Sequence, residues 1–223
     1  MYDLVRGPLV WVSFIVFMAG TVFQIIRFYT LSRKAGFSPH VPTIRIKKAT
    51  EKTPLGRKLV TWLRSLKMTV LGVHPVTITV STIFHICLFI TPIFLLGHNE
   101  LFDLSWGLSL AAFSETVTDV LTLIFLACCA YFLLRRIFLS RVRSITSFYD
   151  YLVLAIAIAP FLTGFLAYHQ IYDYRTMMII HMLCGEIMLM AIPFTKLVHM
   201  IFFFLNRFMV VNEHTLGQGS RAW

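Results

Sequence analysis

The sequence predicts an all-α integral membrane protein, a bundle of five transmembrane helices with the N-terminus outside and the C-terminus cytoplasmic. Three observations predict it. Hydrophobic residues make up 58% of the 223 residues and charged residues only 13%, with a mean hydropathy of +0.78. That balance belongs to a bundle in lipid rather than to a soluble domain. Apolar runs of spanning length recur at about 8–30, 69–96, 107–134, 148–169 and 177–205. Basic residues gather in alternate connections between those runs.

The first run, from Leu9 to about Thr30, is too long for a signal-peptide core. No small-residue cleavage site follows it, so it is expected to stay as the first helix. The connection after it, SRKAGFSPHVPTIRIKKATEKTPLGRKLVTWLRSLK (32–67), holds ten Lys or Arg against one Glu. Within it, PLGRKLVTWLRSLK reads either as a short amphipathic helix on the membrane surface or as a solvated linker. The second span carries His74, His85 and Cys87, and the third carries Glu115, Asp119, Cys128 and Cys129. RRIFLSRVRS, after the third span, adds four arginines on the same side as the first basic connection. The opposite side has only Arg6 and Arg175, against Asp3, Glu100, Asp103 and Asp173. Fourteen basic residues against two sets the orientation by the positive-inside rule. The net charge of +10 is thereby explained without nucleic acid, because it lies in loops beside apolar spans. The whole chain reads as a single membrane domain.

The four cysteines all fall inside apolar runs without metal-ligand spacing, as buried free thiols do. No phosphate-binding loop, HExxH, nucleophile elbow or CxxC is present.

Histidines supply the chemistry. Of eight, four lie in apolar surroundings: His74 and His85 on the second span, His181 and His199 on the fifth. Eighteen residues are five turns of an α-helix, so His181 and His199 share a face about 27 Å long. Eleven residues also come to nearly whole turns, which puts His74 and His85 on one stripe. His74 and His199 would then lie level near the cytoplasmic face. His85 and His181 both lie further out, though less evenly matched. An imidazole in hydrocarbon must be bonded or ligated. Bis-histidine ligation of two b-type haems explains number, phase and depth together; a proton pathway or structural polar contacts is the other reading of the same residues.

Further residues fit around such a pair. Gly72 and Gly185 would let a porphyrin approach, or would bring helices together. Arg27 and Lys196 are placed for propionates of an inner haem and Arg175 for an outer one, with snorkelling to lipid head groups as the alternative. Glu115, Asp119 and Glu186 are carboxyls within spans, able to accept protons from an oxidised quinol or to remain neutral and hydrogen-bonded.

Five spans, an outside N-terminus, a basic first cytoplasmic loop and paired histidines on spans two and five resemble the gamma subunit of respiratory nitrate reductase. The short length and the HP…FH arrangement (His74–Pro75, Phe84–His85) look most like the membrane cytochrome b subunits of the Hmc, Tmc and Dsr redox complexes of sulfate reducers. The resemblance implies that His74 and His199 hold a cytoplasmic-side haem b and His85 and His181 an outer haem b. It also implies menaquinone as a substrate beside the outer haem, and a cytoplasmic iron–sulfur partner. Periplasmic multihaem cytochromes c and other membrane subunits would complete the complex. The setting it implies is a bacterial or archaeal inner membrane, with this chain as the electron-transfer subunit of a quinone-linked oxidoreductase active in sulfate respiration. A haem-free transporter or proton channel, using the histidines and acids as a relay, is the reading from another functional class.

Overall fold

A computed structural model of the chain describes residues 2–34 and 74–205. The surface-helix expectation within 32–67 lies almost entirely outside the described residues. No strand occurs among the described residues, and five helices are long and apolar enough to cross a membrane. These spans run Tyr2–Leu31, Pro75–Phe94, Glu115–Phe138, Phe148–Tyr168 and Tyr174–Phe194. The chain is therefore an all-α, multi-pass membrane protein with five spans. Its outer surface is rich in exposed large side chains such as Ile15, Phe23, Ile86, Leu123 and Leu152, as expected of helices that face lipid.

The chain divides into two units, and each is described by itself. The first contains the N-terminal helix and residues 147–205. Its opening helix reads Tyr2–Leu4, then a π-helical turn Val5–Leu9, then α1 (Val10–Lys34). Pro8 lies inside that turn. A proline clashes with the carbonyl four residues back in an α-helix, and the wider π turn relieves the crowding.

Helix α5 (Phe148–Tyr168) starts at a capping box, in which the Asp150 carboxylate accepts from Ser147 N at 2.8 Å and Ser147 Oγ at 2.9 Å. A short turn, with Gln170 at φ 50°, then leads into α6 (Tyr174–Ala191). Asp173 caps α6 by accepting from Thr176 N at 2.8 Å, and hydrogen bonds from the Thr176 side chain and backbone lower the pKa of its carboxyl. Helix α6 packs against both α5 and α1.

The fifth span does not run on to residue 205 as one helix. After α6 come a 3₁₀ turn Ile192–Phe194, an extended Thr195, a second 3₁₀ turn Lys196–Val198 and helix again to Leu205. Pro193 cannot donate to the helix ladder. Thr195 then acts as a new N-cap, its Oγ1 accepting from Leu197 N at 3.2 Å. The break is closed from α1: Gln24 Nε2 donates to Pro193 O at 2.6 Å. Gly20 leaves the room this needs, since a Cβ there would fall 2.7 Å from Pro193 Cγ and 2.9 Å from Phe194 Cζ. Further along the same pair, Phe28 meets Phe202 with ring centroids 5.4 Å apart. The two segments therefore run parallel.

The second unit contains α2 (Pro75–Phe94), α3 (Leu96–Trp106) and α4 (Glu115–Phe138). Helices α2 and α4 run antiparallel around Phe84, which stacks on Phe125 at 4.9 Å and meets Phe132 edge-on at 5.6 Å. Thr77 and Tyr131 hydroxyls lie 3.2 Å apart on the same seam. Cys87, Cys128 and Cys129 are buried and free, and Cys184 of the other unit is half-buried and free.

The described helix of the second span begins at Pro75, where proline at the first helical position needs no ladder donor, and the expected start near 69 lies outside the described residues. One boundary in this unit differs from the expected one. The third span begins at Glu115 rather than 107. Gly107, at φ +65°, ends α3 in the left-handed conformation, and the chain stays irregular until Ser114 caps α4. Several carbonyls at the end of α2 find partners beyond the helix. His98 Nδ1–H donates to Pro92 O (2.8 Å), Asn99 Nδ2 to Ile93 O and Leu95 O (3.2 Å each), and Phe113 N to Phe94 O (2.9 Å). Those bonds satisfy backbone groups where an apolar helix turns sharply.

Candidate functional site

His85 sits three turns into α2, half-buried, with Phe84 edge-on at 5.1 Å. Its Nδ1 lies 2.6 Å from Ser81 O. A carbonyl only accepts, so Nδ1 carries the hydrogen, and the neutral ring has its lone pair on Nε2.

His181 reaches the same state through another helix. Its Nδ1–H donates to Pro160 O of α5 at 2.9 Å, with Thr163 Oγ1 3.4 Å away. Thr163 is itself tied to Ala159 O at 2.7 Å. The ring lies flat against α5 because residue 164 is glycine: a Cβ there would come 2.9 Å from Cε1 and 3.1 Å from Nδ1.

His199 opens the helix that follows the Thr195 break and is exposed. Its Nδ1–H donates to Lys196 O at 2.6 Å, one of the carbonyls close to the break. It borders an open apolar hollow lined also by Lys196, Val198, Phe202 and Phe203.

His74 differs from the other three. It is the exposed N-cap of α2, at φ −134° and ψ 62°, with its carbonyl accepting from Ile78 N at 3.1 Å. It stands at the end of the helix rather than a turn or two inside, so the eleven-residue phase argument does not extend to its side chain. His181 and His199 do not share one continuous helix, since the break at Pro193–Thr195 separates them. Ring direction is set locally, by Pro160 O in one case and Lys196 O in the other. His74 and His85 belong to one unit, His181 and His199 to the other.

The acids divide sharply. Glu115 is the exposed first residue of α4, at a helix end rather than within a span. There its charge complements the helix dipole. Asp119, one turn further in, is half-buried. Glu186 is 5% exposed inside α6, and neither carboxyl oxygen has a hydrogen-bond partner.

The three cations have different surroundings. Arg27 is exposed on the α1 turn beside Phe28 and therefore close to the His199 segment. Lys196 is three residues before His199, but its Nζ is engaged with Asp150 Oδ1 at 2.5 Å and lies 5.6 Å over the Tyr149 ring. Arg175 is exposed in the first turn of α6, six residues before His181.

Residues that position the imidazoles escaped the sequence reading. Pro160, Thr163 and Gly164 do so for His181, and their sequence mark was a cluster of proline, threonine and glycine inside an apolar span. Ser81 serves His85 through its carbonyl alone and leaves no such mark.

Fold and site together define a multi-pass membrane protein of five apolar helices, with His85, His181, Asp119 and Glu186 set into them. The chain belongs to the same family as a protein of Nitratidesulfovibrio vulgaris (strain Hildenborough), to which it is 33% identical across 99% of its own length and 96% of the relative's. No family model matches the chain.

Proposed function

We propose that the chain is a dihaem cytochrome b, the membrane subunit that passes electrons between menaquinol or periplasmic cytochromes c and a cytoplasmic iron–sulfur partner. One observation carries the reading: His85, His181 and His199 each donate Nδ1–H to a backbone carbonyl. That is the arrangement which orients a ligating imidazole, fixes its tautomer and raises the basicity of Nε2. A bis-histidine haem asks only two such groups of the protein. The donor set therefore fits haem iron without any larger cluster.

His74 with His199, and His85 with His181, are the ligand pairs of this proposal. When bound, the two b-type haems supply one-electron carriers in series across the insulating bundle. The chain's own residues hold and aim the ligands. Arg27 and Arg175 offer exposed cations for propionates at opposite ends, while Lys196 would have to share its charge with Asp150. The positive-inside bias of the basic connections supports a cytoplasmic C-terminus, and the membrane of this proposal is a bacterial or archaeal inner membrane. The relative's host is a sulfate reducer, which suits the redox complexes that the chain resembles.

Purified protein tests the reading directly. A reduced spectrum with the α-band of six-coordinate b haem, at two haems per chain, is the expected result. Colourless protein would remove the reading. It would leave a proton channel or transporter, for which the buried Glu186 is the supporting observation.

A further inference from the structure

Glu186 is a carboxyl in the middle of a membrane helix with neither oxygen bonded. An ionised carboxylate taken out of water without a partner is held at high cost, so such a group either carries a proton or has a compensating charge nearby. Its surroundings narrow the choice. Gly20 lies against Pro193, and seven residues back along each parallel segment bring Ser13 and Glu186 to one level. Ser13 is 1% exposed, and its hydroxyl is already committed to Val10 O at 2.7 Å. On the other side, His181 lies opposite Pro160 and Gly164, which puts Glu186 level with the buried Ala157 of α5.

The first helix carries no ionisable side chain between Arg6 and Arg27, and α5 carries none between Tyr151 and Tyr168. On α6 itself the ionisable neighbours are His181 and Cys184. Arg175 and Tyr174 are three turns away at the helix end. Among these elements, the group that would bring a charge near Glu186 is a haem held at His181, five residues away: about 7.5 Å along the axis and about 140° around the helix.

We propose that Glu186 is the redox-linked proton site of this protein: it takes up one proton when the haem held by His181 gains an electron and releases it when that electron leaves. The inference rests on the cofactor reading above. A ferric bis-imidazole haem core is cationic and steadies the Glu186 carboxylate across low-dielectric packing. Addition of one electron, from quinol or a protein donor, reduces Fe(III) to Fe(II) and removes that positive charge. Glu186 then binds a proton drawn from water, forming the neutral acid. Oxidation reverses both transfers, so charge balances in each direction. The site thereby couples electron passage to proton movement inside the bundle, independently of protons exchanged by any quinol.

Potentiometric titration of the holoprotein at a series of pH values, combined with redox-difference infrared spectroscopy, tests this. Full coupling makes the reduction equilibrium change tenfold per pH unit, about 59 mV for a one-electron couple. The expected result is that dependence on one haem over part of the range, with a protonated-carboxyl C=O band appearing on reduction. Glu186→Gln should flatten the dependence and remove the band while both haems remain. Glu186→Leu, which asks for no amide partner, should flatten it equally if the glutamine variant assembles poorly. Potentials independent of pH in the unaltered protein, or a slope and band unchanged in both variants, would overturn the proposal and leave the cofactor reading standing. Colourless protein would instead overturn the cofactor reading, and this inference with it.

Discussion

Gly164 and His181 are in direct van der Waals register: any Cβ on residue 164 would sit 2.9 Å from the imidazole Cε1. The ring is clamped between that bare backbone and Pro160 O. Gly164→Ala must therefore push the imidazole or the helix. Overpacking of this kind costs about 1–3 kcal/mol. The expected outcome is lower thermal stability together with a broadened or missing α-band from the haem assigned to His181. Gly97→Ala is the control, because a Cβ there meets nothing within 4 Å. Equal spectra in the two variants would show that Gly164 does not position the ligand.

The pairing of His74 with His199 makes a separate statement. His74→Ala and His199→Ala should each remove the same haem, leaving about one per chain with an unchanged outer-haem spectrum. Loss of different haems in the two variants would dissolve the pairing. His74 is the more informative of the two, since it stands at the helix end without the carbonyl bond that orients the other three rings.

The number and type of the elements were legible in composition and hydropathy, because lipid demands about twenty apolar residues per span whatever the details. What lay beyond that reading were the interruptions. Pro193 followed by Thr195 is a helix stop and a new cap, yet the apolar run continues through both, so hydropathy alone sees one span. Gly107 and Ser114 likewise bound an apolar but irregular stretch. The four histidines were found by residue type. Their spacing does not fix a shared face, because phase holds only along an unbroken helix. The clamp on His181 depends on α5, far away in sequence, and no local pattern reports it.

Thr195→Ala removes the cap that restarts the helix. N-cap losses cost about 0.5–2 kcal/mol. Because the Lys196 carbonyl that orients His199 lies in the same turn, the haem assigned to His199 should be perturbed before the other. Thr195→Ser keeps the acceptor and should behave as the unaltered protein. A melting temperature and spectrum unaffected by alanine would mean that the break is held chiefly by Gln24 and the packing at Gly20.

His98 gives a pH dependence of opposite origin to the haem proposal. Burial pulls its pKa below the ordinary 6.5, opposed by its bond to Pro92 O. A histidine depressed in the folded state favours the neutral form, so stability is full above the unfolded pKa and falls as pH drops toward the folded one. Below about pH 6.5 the joint between α2 and α3 should loosen, seen as faster amide exchange at residues 94–99. His98→Gln should lose part of the bond to Pro92 and flatten the pH dependence. Exchange that is insensitive to pH in the unaltered protein would remove His98 as the titrating group.

The two acids of α4 make contrasting predictions about quinol. Asp119 is half-buried one turn inside the helix, whereas Glu115 is exposed at its first residue, where water already accepts protons. If a carboxyl of this helix receives protons from quinol, Asp119 is the better placed. Asp119→Asn should then slow quinol-driven haem reduction by about 10²–10⁴-fold, the usual contribution of a positioned acid–base group. Glu115→Gln should slow it far less. Reduction by dithionite should be unchanged in both, because that route bypasses quinol, and both haems should remain bound. Full quinol-driven rates in Asp119→Asn would remove α4 from the proton path. If quinol-driven reduction is absent altogether, the proposal's other route, entry from periplasmic cytochromes through the outer haem, would be the one left, and neither acid would have a proton to accept.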